Sequence, residues 1–497
     1  MKRLILIILV LTLLCGCTPM PATTLPLTTP PPATTAPCPH ADADDNGSCD
    51  HCMVSLLVAL DFYSVNDLHG KMVDGDNHVG IDELTTFLKK KQKTENTIFL
   101  SAGDMWQGSP ESNLTQGLIL TDWMNELDFA AMALGNHEYD WGEDAILENV
   151  AMAEFPILAI NIFDRQTNTR VDYCEASTMV DIAGVQIGII GAMGDCYSSI
   201  APDKVADVYF QTDSQLTALV KAESQALRSQ GADLIVYVIH DGGSVSSITG
   251  SHYDAELSNG YVDLVFEGHS HKKYLAQDKY GVYHMQHGGD NTGGISHAEI
   301  AINAVTGTFH VTEADLITSS TYASLEDDPL ISDLLEKYKD QISLGNQVLG
   351  DNSAYRSSDW LCDKVAELYY RLGQETWGDR YQVTLGGGFL SARSPYDIEK
   401  GPVTYGQIQS IFPFDNDIVL CSIKGSDLLS KFINTSNNRY HIYGSWGTID
   451  PNGTYYVVVD TYTATYAPNR LTIVETYTPG IYARDLLADF VAAGGLS

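Results

Sequence analysis

Basic residues are scarce in this chain: 28 Lys and Arg stand against 64 Asp and Glu, a formal net charge of −36. That balance argues against a surface that wraps a nucleic acid polymer and against a polybasic membrane patch. Apolar runs of spanning length are missing after the first few residues, which excludes a membrane-embedded bundle, while an apolar fraction of 44% leaves ample core for a soluble globular protein. Nine cysteines are too few for a disulfide framework over 497 residues, and no repeat of fixed period occurs. The length exceeds what one hydrophobic core fills, so two folded domains plus appendages are expected. Acidity also works against anionic substrates. A bound phosphate therefore needs a local concentration of positive charge, which metal ions would supply.

At the N-terminus Lys2 and Arg3 precede the apolar stretch Leu4 to Leu14, which runs into Leu14-Cys15-Gly16-Cys17. This is an export signal. Its end resembles the lipobox of bacterial lipoproteins, which implies a signal peptide over residues 1–17, cut before Cys17, whose thiol carries the lipid; an ordinary cleaved signal peptide is the alternative. Residues 18–37 are mostly Pro and Thr without charge, which predicts an extended, disordered tether. Residues 38–52 are rich in Cys and His. Cys38, His40, Cys49, His51 and Cys52 could make a small zinc site, Asp42, Asp44 and Asn46 before Gly47 suggest half of a calcium loop, and a flexible stub or a disulfide from Cys38 is the bland reading. Cys174, Cys196, Cys362 and Cys421 read as buried thiols or one pair.

From Val58 onward short apolar runs alternate with segments of helical periodicity, an α/β pattern. The runs are Val58 to Val65, Thr97 to Ala102, Phe129 to Leu134, Pro156 to Ile160, Val185 to Ile190, Leu234 to Ile239 and Val262 to Phe266. Metal-capable side chains fall where these runs end: Asp67 and His69, Asp104, Asn136 with His137 and Glu138, His240, and His269 with His271. Ligands in open α/β sheets bind beyond the carboxyl ends of the strands, so five loops are expected to converge on one crevice. Two Asp, one Asn and several His without a thiolate suit Mn, Zn or Fe and can hold two ions. Each motif alone is better explained as a helix cap or loop residue; five in order, each with an adjacent Gly, are not.

The series D-x-H, G-D, G-N-H-E, a lone H and G-H-x-H resembles the calcineurin-like metallophosphatases, and more narrowly the 5′-nucleotidase family. The resemblance covers about residues 55 to 497. It implies an α/β (α+β) architecture: a four-layer α/β/β/α metallophosphatase sandwich over 55–318, a helical connector over 319–345, and a smaller α/β substrate-binding domain over 346–497. It implies two divalent metal ions, one held by Asp67, His69, Asp104 and His271, the other by Asp104, Asn136, His240 and His269. His137 becomes a non-ligand catalytic histidine and Asp140 the carboxylate that orients it, while Glu138 is structural. A metal-activated hydroxide would then attack phosphorus in line.

Gly386-Gly387-Gly388, Pro402 to Tyr405 and Phe412-Pro413-Phe414-Asp415-Asn416 resemble the family's C-terminal domain. By that resemblance Gly387 and Gly388 let a ligand approach the backbone, Phe414 stacks on a base, and Arg356 and Arg393 recognise substrate. Departures are present: Leu385 stands where the family has Asn, Leu390 where it has Arg, and the C-terminal motif carrying a second ring is missing, with Tyr462 or Tyr466 as its replacement. Expected substrates are nucleoside 5′-monophosphates, with 2′,3′-cyclic nucleotides or nucleotide sugars beside them, hydrolysed at the cell surface. A metallophosphoesterase for another small phosphate ester and a non-catalytic surface-binding protein are the alternatives.

Overall fold

Along Leu57–Val65 the side chains alternate between two cores, Leu60 and Phe62 entering one and Tyr63 and Val65 the other, as a strand buried on both faces requires. The computed structural model describes residues 38, 40–75, 79–93, 96–242, 253–288, 294–393, 395–466, 469–478 and 480–497. The export signal, Cys17 and the tether at 18–37 lie outside the described residues. Leu57–Val65 is central in a six-stranded sheet ordered Phe309–Ile317, Ile295–Asn303, Leu57–Val65, Thr97–Ser101, Ala131–Ala133, Ile157–Leu158. It runs parallel to Thr97–Ser101 and antiparallel to Ile295–Asn303.

A second six-stranded sheet is ordered Tyr274–Gln277, Tyr283–Gln286, Leu264–Glu267, Leu234–His240, Val185–Met193, Ser177–Ile182. The two sheets face each other across Leu60, Phe62, Leu100, Val236, Val238 and Phe266. On the outer face of the first, Tyr63 and Phe99 pack with Leu84, Leu88, Ile119 and Trp123 from the helices Asp82–Gln92 and Leu118–Glu126. On the outer face of the second, Ile235, Tyr237 and Ile239 pack with Leu216, Val220 and Leu227 of the helix Asp213–Ser229. These are the four layers α/β/β/α.

Beyond residue 318 the helix Pro329–Lys337, capped by Asp328 through the Leu330 amide, buries Ile331 and Leu334 in the same core as Trp123. A five-stranded sheet follows, ordered Tyr440–Gly444, Val383–Phe389, Thr454–Asp460, Ile418–Lys424, Thr472–Thr476. The helix Ser358–Trp377 covers one face through Leu361, Val365 and Tyr369. Gly386 lies where that helix crosses Val383–Phe389, and a Cβ there would come within 2.2 Å of the Tyr370 backbone nitrogen. Gly386 thus serves close packing of helix on strand. Among the described residues no helix is long and apolar enough to cross a membrane. Cys174, Cys196, Cys362 and Cys421 are buried free thiols.

Candidate metal centre and active site

The strand Leu57–Val65 delivers Asp67 and His69, Thr97–Ser101 delivers Asp104, Ala131–Ala133 delivers Asn136 and His137, Leu234–His240 ends on His240 itself, and Leu264–Glu267 delivers His269 and His271. Five of these side chains sit on backbone in the left-handed region: Asp67 at φ 52°, His69 at 49°, Asp104 at 55°, His269 at 72° and His271 at 53°. Asp, Asn and His tolerate that region better than most residues, but it still costs energy, of order 1 kcal/mol or more each, so such a concentration marks loops shaped for function. The loops hold one another. The Asp67 amide donates to the Gly103 carbonyl at 2.9 Å and the His69 amide to the Asp104 carbonyl at 3.1 Å. A Cβ on Gly135 would lie 2.3 Å from Asp104 Oδ1, so the glycine beside Asn136 is there for the bridging approach of two loops.

Glu138 explains how the Asp104 loop keeps its shape. Fully buried, its carboxylate accepts from the amides of Asp104 and Gly135 through Oε2, at 2.9 and 2.7 Å, and from Met105 and Trp106 through Oε1, at 2.8 and 3.2 Å.

The imidazoles are fixed in tautomers that leave lone pairs inside the site. His69 Nδ1 lies 2.9 Å from the Gln107 carbonyl and His240 Nδ1 2.6 Å from the Ala102 carbonyl; a carbonyl only accepts, so both Nδ1 atoms carry the hydrogen. His69 Nε2 and His271 Nε2 are then 3.2 Å apart. His240 Nε2 is 3.1 Å from Asp104 Oδ2, yet makes no well-directed hydrogen bond in a fully buried position. His271 Nε2 lies 3.3 Å from Asp67 Oδ1, and His269 Nδ1 2.9 Å from Asn136 Oδ1. Burial, with His137 nearby, holds His69 well below its ordinary pKa. Burial would raise the Asp104 carboxyl, but the His240 and His137 rings hold it well below the usual carboxylate range. Nitrogen lone pairs and carboxylates aimed at one another across about 3 Å are the donor set of a divalent cation, and an orphaned buried ring nitrogen fits one. Cys196 also borders His240, but its Sγ donates to the His240 carbonyl at 3.0 Å and burial keeps it a thiol.

His137 stands beside this centre. Its Nδ1 donates to Asp140 Oδ2 at 2.8 Å and its amide to Asp104 Oδ1 at 2.8 Å. Burial alone would lower His137, but the Asp140 and Asp104 carboxylates outweigh it and hold its pKa above the ordinary value.

The centre opens into a cavity of about 660 Å³ that continues under the C-terminal sheet. Arg393 and Phe414 line it, as do Lys71, Lys204 and Arg439, together with Phe389 and Tyr462. These four basic side chains are the local positive charge that an acidic chain needs before it can admit an anion. Sequence reasoning missed Lys71, Lys204 and Arg439, which share no motif and are brought together only by the fold.

Four expected substrate contacts are not among the residues that line the cavity. Gly387 and Gly388 do not line the cavity: the space a Cβ would take is filled by the His441 carbonyl at 2.0 Å and by Thr463 at 2.6 Å. Arg356 lies away from it, its guanidinium 4.5 Å from the centroid of the Trp360 ring. Tyr466 is 46% exposed and outside, because the short helix Thr461–Thr465 turns Tyr462 inward and leaves Tyr466 past its end.

Residues 62–273 match the calcineurin-like phosphoesterase family. The chain is 24% identical to a 5′-nucleotidase of Diplobatis ommata over 433 residues, 77% of this chain and 72% of that one. Residues 62–273 thus form a calcineurin-like phosphoesterase domain, and over most of its length the chain is similar to 5′-nucleotidases. This phosphoesterase is also 25% identical to endonuclease YhcR of Bacillus subtilis over 407 residues, 75% of its own length but only 32% of that enzyme's. The crystal structure of a 5′-nucleotidase precursor from Thermus thermophilus shares the fold at a TM-score of 0.64 and 20% identity, over 88% of this chain and 96% of that one. The phosphoesterase is a metal-dependent phosphoester hydrolase, and the His and Asp groups above are its candidates for the metal.

Proposed function

We propose that this phosphoesterase acts at the cell surface, held by lipid on Cys17, and hydrolyses nucleoside 5′-monophosphates to nucleoside and phosphate, with 2′,3′-cyclic nucleotides or nucleotide sugars as further substrates. One observation carries the reading: the His and Asp loops, four basic side chains and several aromatic rings share a single cavity. Phosphate calls for the first two and a base for the third. Asp67, His69, Asp104 and His271 hold one divalent ion of the Zn, Mn or Fe class, and Asp104, Asn136, His240 and His269 the other. When bound, such ions supply Lewis acidity at phosphorus and acidify the attacking water. His137, fixed through Asp140, presents Nε2 and stabilises or protonates the departing ester oxygen. Arg393, Arg439 and Lys204 orient the anion, and Phe389 with Tyr462, ring centroids 5.8 Å apart, offer faces to the base.

A second reading, hydrolysis of another small phosphate ester, is favoured by Leu390, an apolar side chain on the cavity wall. Phosphate release from AMP, cyclic nucleotides and sugar phosphates by the metal-loaded protein separates the two. AMP is expected to give the highest kcat/KM; a sugar phosphate preferred over every nucleotide would install the second reading. For the anchor, Cys17→Ser should move the protein from membrane to medium with activity intact, and unchanged partitioning would remove that part of the proposal.

A further inference from the structure

Ahead of the first strand, apart from the cavity, lies a second cluster of metal-capable side chains. Cys38, His40, Cys49 and Cys52 each offer one atom, and the four atoms all lie within 4.8 Å of one another. Cys38 Sγ is 3.6 Å from Cys49 Sγ, and Cys52 Sγ is 3.6 Å from His40 Nδ1. Tetrahedral zinc, with bonds of about 2.3 Å to sulfur and about 2.0–2.1 Å to nitrogen, sets those edges at about 3.8 and about 3.6 Å. A disulfide would need its sulfurs at about 2.05 Å and would leave His40 and the third sulfur without a role.

Cys49 is fully buried, and no Lys or Arg occurs in the sequence between Arg3 and Lys71. The backbone closes around it: the Cys49 amide donates to the Val54 carbonyl at 2.8 Å and the Asp50 amide to the Ala41 carbonyl at 2.8 Å. The acidic side chains that resemble half a calcium loop are engaged in the turn instead. Asp42 accepts from the amides of Asn46 and Gly47 at 3.0 and 2.7 Å, and Asp44 from Asn46 Nδ2 at 2.9 Å. The segment is docked on the sandwich, because Asn303 Nδ2 donates to Asp42 and Asp45 at 2.7 and 3.0 Å and Thr306 Oγ1 to Asp45 at 2.7 Å.

We propose that Cys38, His40, Cys49 and Cys52 form a structural zinc site, separate from the catalytic centre, that locks residues 38–52 against the turn at 303–308. It gives the tether a rigid end on the domain. The sulfurs bind as thiolates, so the protons of the thiols go to solvent and no oxidant is consumed.

The test compares the full chain, purified without chelator, with its Cys49→Ser/Cys52→Ser and Asp104→Ala variants. Zinc is counted per chain, and the cobalt-reconstituted proteins are scanned for thiolate-to-cobalt charge-transfer absorption, which the nitrogen and oxygen donors of the catalytic centre do not give. Expected is one zinc fewer in the cysteine variant, with the absorption lost and phosphoesterase rate retained, and the same absorption kept in Asp104→Ala. Equal zinc in wild type and cysteine variant, or a Cys38 disulfide in the non-reduced chain with no zinc, overturns the proposal. Should the cysteine variant fail to fold, the wild-type cobalt spectrum decides alone: no thiolate absorption, no site.

Discussion

The Phe414 ring lies over the His137 imidazole, centroids 6.0 Å apart and planes 23° apart, while the Arg393 guanidinium sits 5.1 Å from the centroid of the same Phe414 ring. With Asp140 bonded to His137 Nδ1, the chain Asp140, His137, Phe414, Arg393 joins the metal loops to the C-terminal domain. Phe414 is therefore in contact with the proposed proton donor, and its loss should be felt by every substrate. An aromatic pair is worth about 0.5–1.5 kcal/mol beyond area burial, so Phe414→Ala should lower kcat/KM about 2- to 10-fold for AMP and for p-nitrophenyl phosphate alike. Among the described residues Tyr462 packs on Phe389 and not on His137, and it faces the cavity from the short helix Thr461–Thr465. Tyr462→Ala should therefore lower AMP hydrolysis and spare p-nitrophenyl phosphate. An equal loss on both substrates in the Tyr462 variant would mean that this ring does not read the base.

His137 and Glu138 are neighbours in sequence with opposite expected phenotypes. His137→Ala should keep its metal and its Tm and lose about 10²- to 10⁴-fold in rate, the usual worth of one positioned acid. Glu138→Ala strands four buried amides, and hydrogen bonds to a charged acceptor contribute about 1.5–3 kcal/mol each, so a loss on the order of 3 kcal/mol or more is expected, with Asp104 and the metal going with it. Thermal melts and metal content on both variants make the comparison. Loss of metal in His137→Ala would turn His137 into a ligand.

Asp460 supplies a pH-dependent prediction. It caps the helix Thr461–Thr465 by accepting from the Thr463 amide at 2.7 Å, and burial pushes its pKa up to about 6. An unfolded Asp titrates near 3.9, so the folded form binds the proton more tightly, and stability contributed by the protonated group is present below about pH 4 and lost as pH rises through 6. Asn caps as well as Asp without the charge. Asp460→Asn should thus be more stable than wild type at pH 7.5, by on the order of 2 kcal/mol, with the gap closing toward pH 4. A gap independent of pH, measured by denaturant titration, would assign the effect to the cap and not to the charge.

How much of this was legible in the sequence follows from the range of each interaction. Runs such as Leu234 to Ile239 announce strands because a strand buried on both faces must be apolar throughout, and the polar residue that ends the run has to lie at the rim where ligands bind. The glycines at 386–388 say only that something approaches closely: here it is the Tyr370 backbone at Gly386, the His441 carbonyl at Gly387 and Thr463 at Gly388. Tyr462 and Tyr466 could not be told apart, because a five-residue helix decides which one turns inward. Lys71, Lys204 and Arg439 were invisible as a group: their common position depends on loops from three separate parts of the chain.

The most direct measurement of the central claim is the rate of phosphate release from AMP by metal-loaded wild type and by Asp104→Ala. Asp104 Oδ2 lies 3.1 Å from His240 Nε2 and its Oδ1 accepts from the His137 amide, so this carboxylate is where the two halves of the centre and the proposed acid meet. The wild type is expected to release phosphate, and Asp104→Ala to fall to the background of the uncatalysed reaction. A variant that keeps the wild-type rate would contradict the account.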